Sequence, residues 1–189
     1  MTYTIDEKYK LMKRALLQSD SKNPIKIIKN IMHKDFVSIH GPEHHFLDGA
    51  SLLVAMKNAG LGIDLSTVLD QLAERTIKMP GGMCGFWGMC GSVASINAVF
   101  ALLDNTGPLS SDGNYLSHMI FSSKVIKKMS EIGGPRCCKR NAFISLSEAV
   151  KYVNEHYSLA LEIDKIECEF TNLNKECIKK RCPFYCSGE

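Results

Sequence analysis

A chain of 189 residues, 45% of them apolar and 23% charged, can bury one ordinary core and leaves room for little more than a short appendage. Its formal net charge of +3 is too small to mark a polyanion binder, so nucleic acid is disfavoured as a partner. The basic excess in residues 1–35 and the run KECIKKRC near the end read as solvated faces.

The opening MTYTIDEKYKLMKRALLQSD breaks its apolar positions with charges and lacks the apolar core of an export signal. Two weak amphipathic segments lie before His33. GPEHHFLDGASLLVAMKNAG predicts a helix of about eighteen residues, with Pro42 in its first turn and Gly60 as its stop. Its expected buried side is Phe46, Leu47, Ala50, Leu53 and Val54. DLSTVLDQLAERTIKM predicts a second helix, capped by Asp64 and burying Leu65, Val68, Leu69, Leu72, Ala73 and Ile77.

A third helix runs from Ser92 to about Leu103, and the small residues Gly91, Ala94, Ser95 and Ala98 let another backbone come close, which makes it central. NYLSHMIFSSKVIKKMSEIGG predicts a fourth, with Leu116, Met119, Ile120, Ile126 and Met129 near helical spacing and Gly133 as its stop. A fifth opens near Pro135 or only at Ser145, where Ser145-x-x-Glu148 reads as a capping box. No segment alternates as a strand would, so the fold class is all-α, a helical bundle. The longest apolar-rich stretch, SVASINAVFALL, is well short of the roughly 20 residues that cross a bilayer, which excludes a membrane span.

Residues 1–162 are read as the helical domain and 163–189 as a cysteine-rich tail that has little to build a core from and calls for a metal staple. Eight cysteines without an export signal belong in a reducing, cytoplasmic setting, where clustered thiols bind metal or react. Cys168, Cys177, Cys182 and Cys186 follow C-x8-C-x4-C-x3-C, four thiolates fit for zinc or for the corners of a [4Fe-4S] cluster. No C-x2-C zinc pair occurs among them, which tilts the reading toward iron–sulfur, with zinc as the alternative.

The second thiol group, Cys84, Cys90, Cys137 and Cys138, sits within the helical body. Cys90 lies just ahead of a helix start, where free amides and the positive helix end favour a low-pKa thiolate, and Cys137 and Cys138 have Arg136, Lys139 and Arg140 as neighbours. These four are the candidate catalytic thiols, and Cys84, Cys90 and Cys138 are also candidate metal ligands. Adjacent cysteines point in different directions on a helix, so one of Cys137 and Cys138 is expected to join a site more readily than the other.

The stretch GGMCGFWGMCGS, residues 81–92, surrounds two of these thiols with five glycines. Without side chains, Gly82, Gly85 and Gly91 let amides face a sulfide, an anion or a substrate closely, and Phe86 and Trp87 either wall off water or pack as core. Gly82, Gly85, Trp87 and Gly91 are therefore the candidate cofactor-binding residues. HGPEHH adds His44 and His45, one turn from Asp48, as candidates to complete a metal shell or to act as acid and base, whereas His33, His118 and His156 are read as structural.

Together HGPEHH, PGGMCGFWGMCG, GGPRCCKR and CEFTNLNKECIKKRCPF resemble an uncharacterised cysteine-rich helical family of anaerobic bacteria and methanogenic archaea, over about residue 35 to the end. Some members of that family carry a methyltransferase label, but no glycine-rich loop following a strand is present here to bind a methyl donor. The motifs are also distantly similar to a short redox-associated family with a glycine-flanked cysteine pair before a helix. The expectation is an iron–sulfur protein with a reactive body centre and a structural or electron-relaying tail centre, meeting a small-molecule substrate or an electron-transfer partner and free to form a homo-oligomer. The alternatives are a zinc-stapled helical adaptor and a metal-free thiol–disulfide enzyme using Cys84 and Cys90, a pair too widely spaced for C-x-x-C.

Overall fold

The computed structural model describes residues 3–186. Eight helices follow in order: α1 Ile5–Leu16, α2 Pro24–Met32, α3 His44–Asn58, α4 Leu65–Thr76, the single turn α5 Met83–Phe86, α6 Gly91–Leu103, α7 Gly113–Ile132 and α8 Cys138–His156. Among the described residues the only strand-like pairing is an isolated bridge between Cys168 and Tyr185, so the all-α expectation holds.

Local chemistry sets most of the boundaries. Thr4 and Glu7 form a reciprocal capping box on α1, and Asn23 accepts from the Ile25 and Lys26 amides ahead of Pro24 at the start of α2. Asp64 caps α4 as its sequence predicts, and Gly133, at φ +76°, ends α7. The capping box read at Ser145-x-x-Glu148 does not exist: α8 has already begun at Cys138, Ser145 is buried mid-helix, and Glu148 instead pairs with Lys124, Lys128 and Lys151.

α3 is the axis of the bundle. It is buried continuously from His44 to Met56, not on one face, because α1, α2, α4, α6 and α8 all pack around it. α6 crosses it at short range. A Cβ on Gly49 would sit 2.6 Å from Ser95 Oγ and 2.9 Å from Ser95 O, and the Gly49 amide donates to Ser95 Oγ at 2.9 Å. The small residues read on the third predicted helix thus do admit a neighbouring backbone, with the complementary glycine on α3.

The helically spaced set read on α7 is only partly inward: Ile126 and Met129 pack, half-buried, against the core. His118, Phe121 and Val125 are the buried residues, whereas Leu116, Met119 and Ile120 are more than half exposed. Aromatic packing explains the choice, since Phe100 of α6 meets both His118 and Phe121.

Residues 157–186 return along α2 and α8 as a chain of turns with two short 3-10 segments, Thr171–Leu173 and Lys179–Arg181. The tail does bring core material: Phe170 is buried beneath the ring of His33, and Phe184 packs edge-on against Phe143. Lys29 and Glu169 form an ion pair between body and tail.

Candidate functional site

The first turn of α8 divides two cavities. Arg140 donates to the carbonyls of Gly133 at 2.9 Å and Pro135 at 2.8 Å, which folds the glycine loop back against the start of the helix. Cys137 is the N-cap in extended conformation and Cys138 the first helical residue, so their side chains leave the backbone in different directions. Cys137 Sγ accepts from the Arg140 amide at 3.4 Å and from Asn174 Nδ2 at 3.6 Å, on the tail side. Cys138 lies with Cys90 and Asp48, beside the Gly41 amide, on the body side.

The tail cavity is narrow, about 20 Å³, and four thiols line it: Cys137, Cys168, Cys177 and Cys182. Its apolar walls are Phe143, Phe170 and Phe184. Backbone amides serve the sulfurs: Arg140 N lies 3.4 Å from Cys137 Sγ and Lys179 N 3.4 Å from Cys177 Sγ, while the amides of Phe170 and Phe184 favour the thiolates of Cys168 and Cys182. Burial pushes Cys168 and Cys182 up all the same. Thr171 Oγ1 is buried here without a partner.

Cys186 is not part of this ring. It is exposed, and its thiol points at Glu167 Oε2, 3.9 Å away. The quartet written from spacing along the tail therefore loses Cys186, and the N-cap thiol Cys137 stands in its place. Only folding could bring residue 137 beside residue 177.

The body cleft is larger, about 340 Å³, and Cys84, Cys90, Cys137 and Cys138 line it together with His44, His45 and Asp48. The glycine-rich stretch positions two of these thiols: Gly82, at φ +79°, turns the chain into α5, which carries Cys84, and Cys90 is the N-cap of α6. Cys90 Sγ accepts from Asn141 Nδ2 at 3.2 Å. The low-pKa expectation is overturned for the metal-free thiols, because burial raises Cys90 and drives Cys138 up to about 12, outweighing the helix ends.

His44 is fully enclosed. Its Nε2 is 2.9 Å from Ser38 O and 3.1 Å from Lys139 Nζ, and burial with the adjacent ammonium holds it down at about 3, a neutral ring. Lys139 is itself buried, donates to Ser38 O at 2.9 Å, and is lowered by that burial to about 8. Glu43 stands nearby. It stays ionised at about 2 although burial opposes this, because Lys8 at 2.7 Å and the Ser38 amide at 2.8 Å both donate to it.

His45 donates from Nδ1 to Met79 O at 3.3 Å, and its ring lies so close to Gly91 that a Cβ there would collide with it. Asp48 is buried with Oδ1 unpartnered, and burial pushes it up to about 7 against the pull of Ser92 and Lys139. His40 Nε2 lies 3.0 Å from Asn174 Oδ1 and so ties the mouth of the cleft to the tail.

Of the glycine-stretch candidates, Gly82 and Gly91 line the cleft. Gly85 lies instead in the adjoining open groove beside Gly133 and Arg136. Trp87 is 63% exposed and Phe86 81%, so neither seals off water nor forms core, and Trp87 does not line the cleft. Sequence reasoning missed Lys139 as a buried group, and it passed over Ser92 and Arg136 as cleft residues; the only advance signal for Asp48 was its spacing of one turn from His44.

Among the described residues, no three His, Cys, Asp or Glu side chains stand close enough together to hold a single metal ion, so a metal staple of the tail is not shown. All eight cysteines are free thiols. No helix among the described residues is long and apolar enough to cross a membrane.

A family model matches residues 12–185. The chain belongs to DUF5714, a family of unknown function. The match begins inside α1 and ends at Tyr185, so it takes in the whole bundle and both cavities, a wider span than the motifs from residue 35 onward. No curated protein and no solved structure matches the chain.

Proposed function

We propose that this protein is an iron–sulfur protein with two thiolate centres. Cys137, Cys168, Cys177 and Cys182 hold the tail centre, which is structural or relays electrons. Cys84, Cys90 and Cys138 hold the body centre, where redox or sulfur-transfer chemistry on a small molecule takes place.

The observation that supports this reading is a pair of adjoining thiol-lined cavities that share the start of α8: Cys137 lines both and accepts from Asn174 of the tail, whereas Cys138 lines only the body cleft. A tetrahedral zinc with thiolates at about 2.3 Å draws its sulfurs to about 3.8 Å from one another. A cluster that places several irons between its thiolates draws on the same four-thiol lining, and the absence of a C-x2-C pair favours it over zinc. Amide donors directed at the tail sulfurs favour the thiolate form that any such metal needs.

Once a cluster is bound at the body centre it supplies an electron store or a Lewis-acidic iron. Cys84, Cys90 and Cys138 would hold that group, and the chain's own polar groups would act beside it. His44 is held neutral, Lys139 fixes its orientation, and Asp48 holds a proton near neutrality.

Anaerobic purification with iron, sulfide and zinc analysis and a visible spectrum tests the proposal. Iron and sulfide in equal amounts are expected, falling by about half in Cys138→Ser and by the other half in Cys177→Ser. A colourless protein with stoichiometric zinc would replace the reading with that of a zinc-stapled adaptor, and a metal-free protein forming one defined Cys84–Cys90 bridge on mild oxidation would replace it with a thiol–disulfide enzyme.

A further inference from the structure

Three side chains, each at least nine-tenths buried, bring polar atoms without a protein partner to the body cleft: His44 Nδ1, Asp48 Oδ1 and Ser92 Oγ. A buried polar atom left unpaired is destabilising by roughly 1–3 kcal/mol, so each needs water or a ligand. They come from two helices, α3 and α6, and share one cavity.

Their hydrogen-bonding roles follow from their neighbours. An ammonium has no lone pair, so Lys139 Nζ is the donor both to Ser38 O and to His44 Nε2, and Ser38 O and Nε2 are two acceptors of the same group. The proton of the neutral His44 ring is then on Nδ1, an N–H donor without an acceptor. Ser92 offers a hydroxyl donor, and Asp48 Oδ1 offers an acceptor. Two further features add positive potential. Arg136 stands exposed at the rim, and α6 begins at Gly91 with no side chain capping its first amides. The volume, about 340 Å³, is at the small end for ligand sites.

We infer that the body cleft binds a small carboxylate bearing an adjacent hydroxyl or amine: Arg136, Ser92 and His44 take the carboxylate oxygens, and the second group donates to Asp48. The inference rests on the cleft being the reactive site proposed above and names the class of molecule that enters it. A carboxylate satisfies both orphaned donors at once, and the neighbouring donor satisfies the orphaned acceptor. A plain fatty acid leaves Asp48 unpaired, and a neutral amide forgoes the charge pairing with Arg136.

The test titrates the full chain, purified anaerobically, with lactate, alanine, propionate and lactamide by calorimetry, with the metal content of the same sample measured alongside. Lactate or alanine is expected to bind at least about tenfold tighter than propionate and lactamide, and whichever of the two prevails identifies the second group as hydroxyl or amine. Arg136→Gln, at an exposed position, should weaken the preferred probe about tenfold and erase its advantage over lactamide; Asp48→Ala, which removes the acceptor, should bring it down to the level of propionate. Equal binding of all four probes, binding of none, or a preference that survives both substitutions overturns the inference. Metal-replete protein without carboxylate selectivity sinks this inference and leaves the two-centre reading standing, whereas selectivity in a chain that never takes up metal does the reverse.

Discussion

Around the tail cavity the chain surrounds four thiols with backbone amides, phenyl rings and the buried Lys139, while the body cleft, which shares Cys137, sets His44, His45 and Asp48 beside its thiols. The first set of neighbours offers donors and apolar cover but no imidazole or carboxyl group. The second set has both. One wall, the first turn of α8, serves both cavities, so the difference comes from what the rest of the chain places opposite it. The narrow cavity of about 20 Å³ admits little besides what its sulfurs hold, and the wider one has room for a reactant. That contrast assigns holding to the tail and chemistry to the body.

The largest effect expected is on the tail. Cys137→Ser or Cys177→Ser should abolish the tail centre and destabilise the chain by more than about 4 kcal/mol, whereas Cys186→Ser should behave as wild type in chemical denaturation and metal content. Equal losses for Cys186 and Cys137 would restore the quartet read from the sequence.

Asp48 gives the next effect, of opposite sign. Its folded-state pKa is raised, so between pH 4 and 7 the folded chain binds more protons than the unfolded one and stability falls as pH rises. In metal-stripped protein Asp48→Asn should therefore gain up to about 4 kcal/mol at pH 7 and lose most of that pH dependence, measured by urea midpoints across the range. A destabilised Asn variant would mean that the unpaired carboxyl oxygen is already satisfied.

Gly91→Ala sharpens the contrast from the body side. The new Cβ would collide with the His45 ring, so a loss of about 2 kcal/mol is expected, with a disturbed body centre and an unchanged tail centre. Loss of both centres would show that the two cavities are not independent.

Glu148 supplies the smallest effect, away from the body cleft. Lys128 and Lys151, with Lys124, hold its buried carboxylate down at about 2 against the penalty of burial. A depressed carboxyl contributes its stability above the unfolded pKa and loses it as pH falls toward the folded one. Glu148→Gln should cost about 2 kcal/mol at pH 6, and the gap should close between pH 4.5 and 2 in denaturation curves.

Much of the bundle was legible residue by residue. Asp64 and Gly133 act within a turn of themselves, and such signals survive any tertiary arrangement. The outward side of α7 was misread because Leu116, Met119 and Ile120 are as apolar as Phe121 and Val125, and periodicity cannot say which face a neighbour covers. Cys84, Cys90, Cys137 and Cys138 all line one cleft, although they come from separate segments. Trp87 does not belong with them: a glycine-rich loop frees its side chains to face solvent as easily as a site.

The amino-acid order alone determined the helices, their caps and the two groups of thiols, because propensity, capping and local spacing act over a few residues. Tertiary structure alone decided that Cys137 leaves its neighbour for the tail, that Cys186 is left out, and that Lys139 is buried against His44. Those outcomes depend on which distant segments share a cavity, and on the desolvation that follows, and neither quantity exists until the helices have packed.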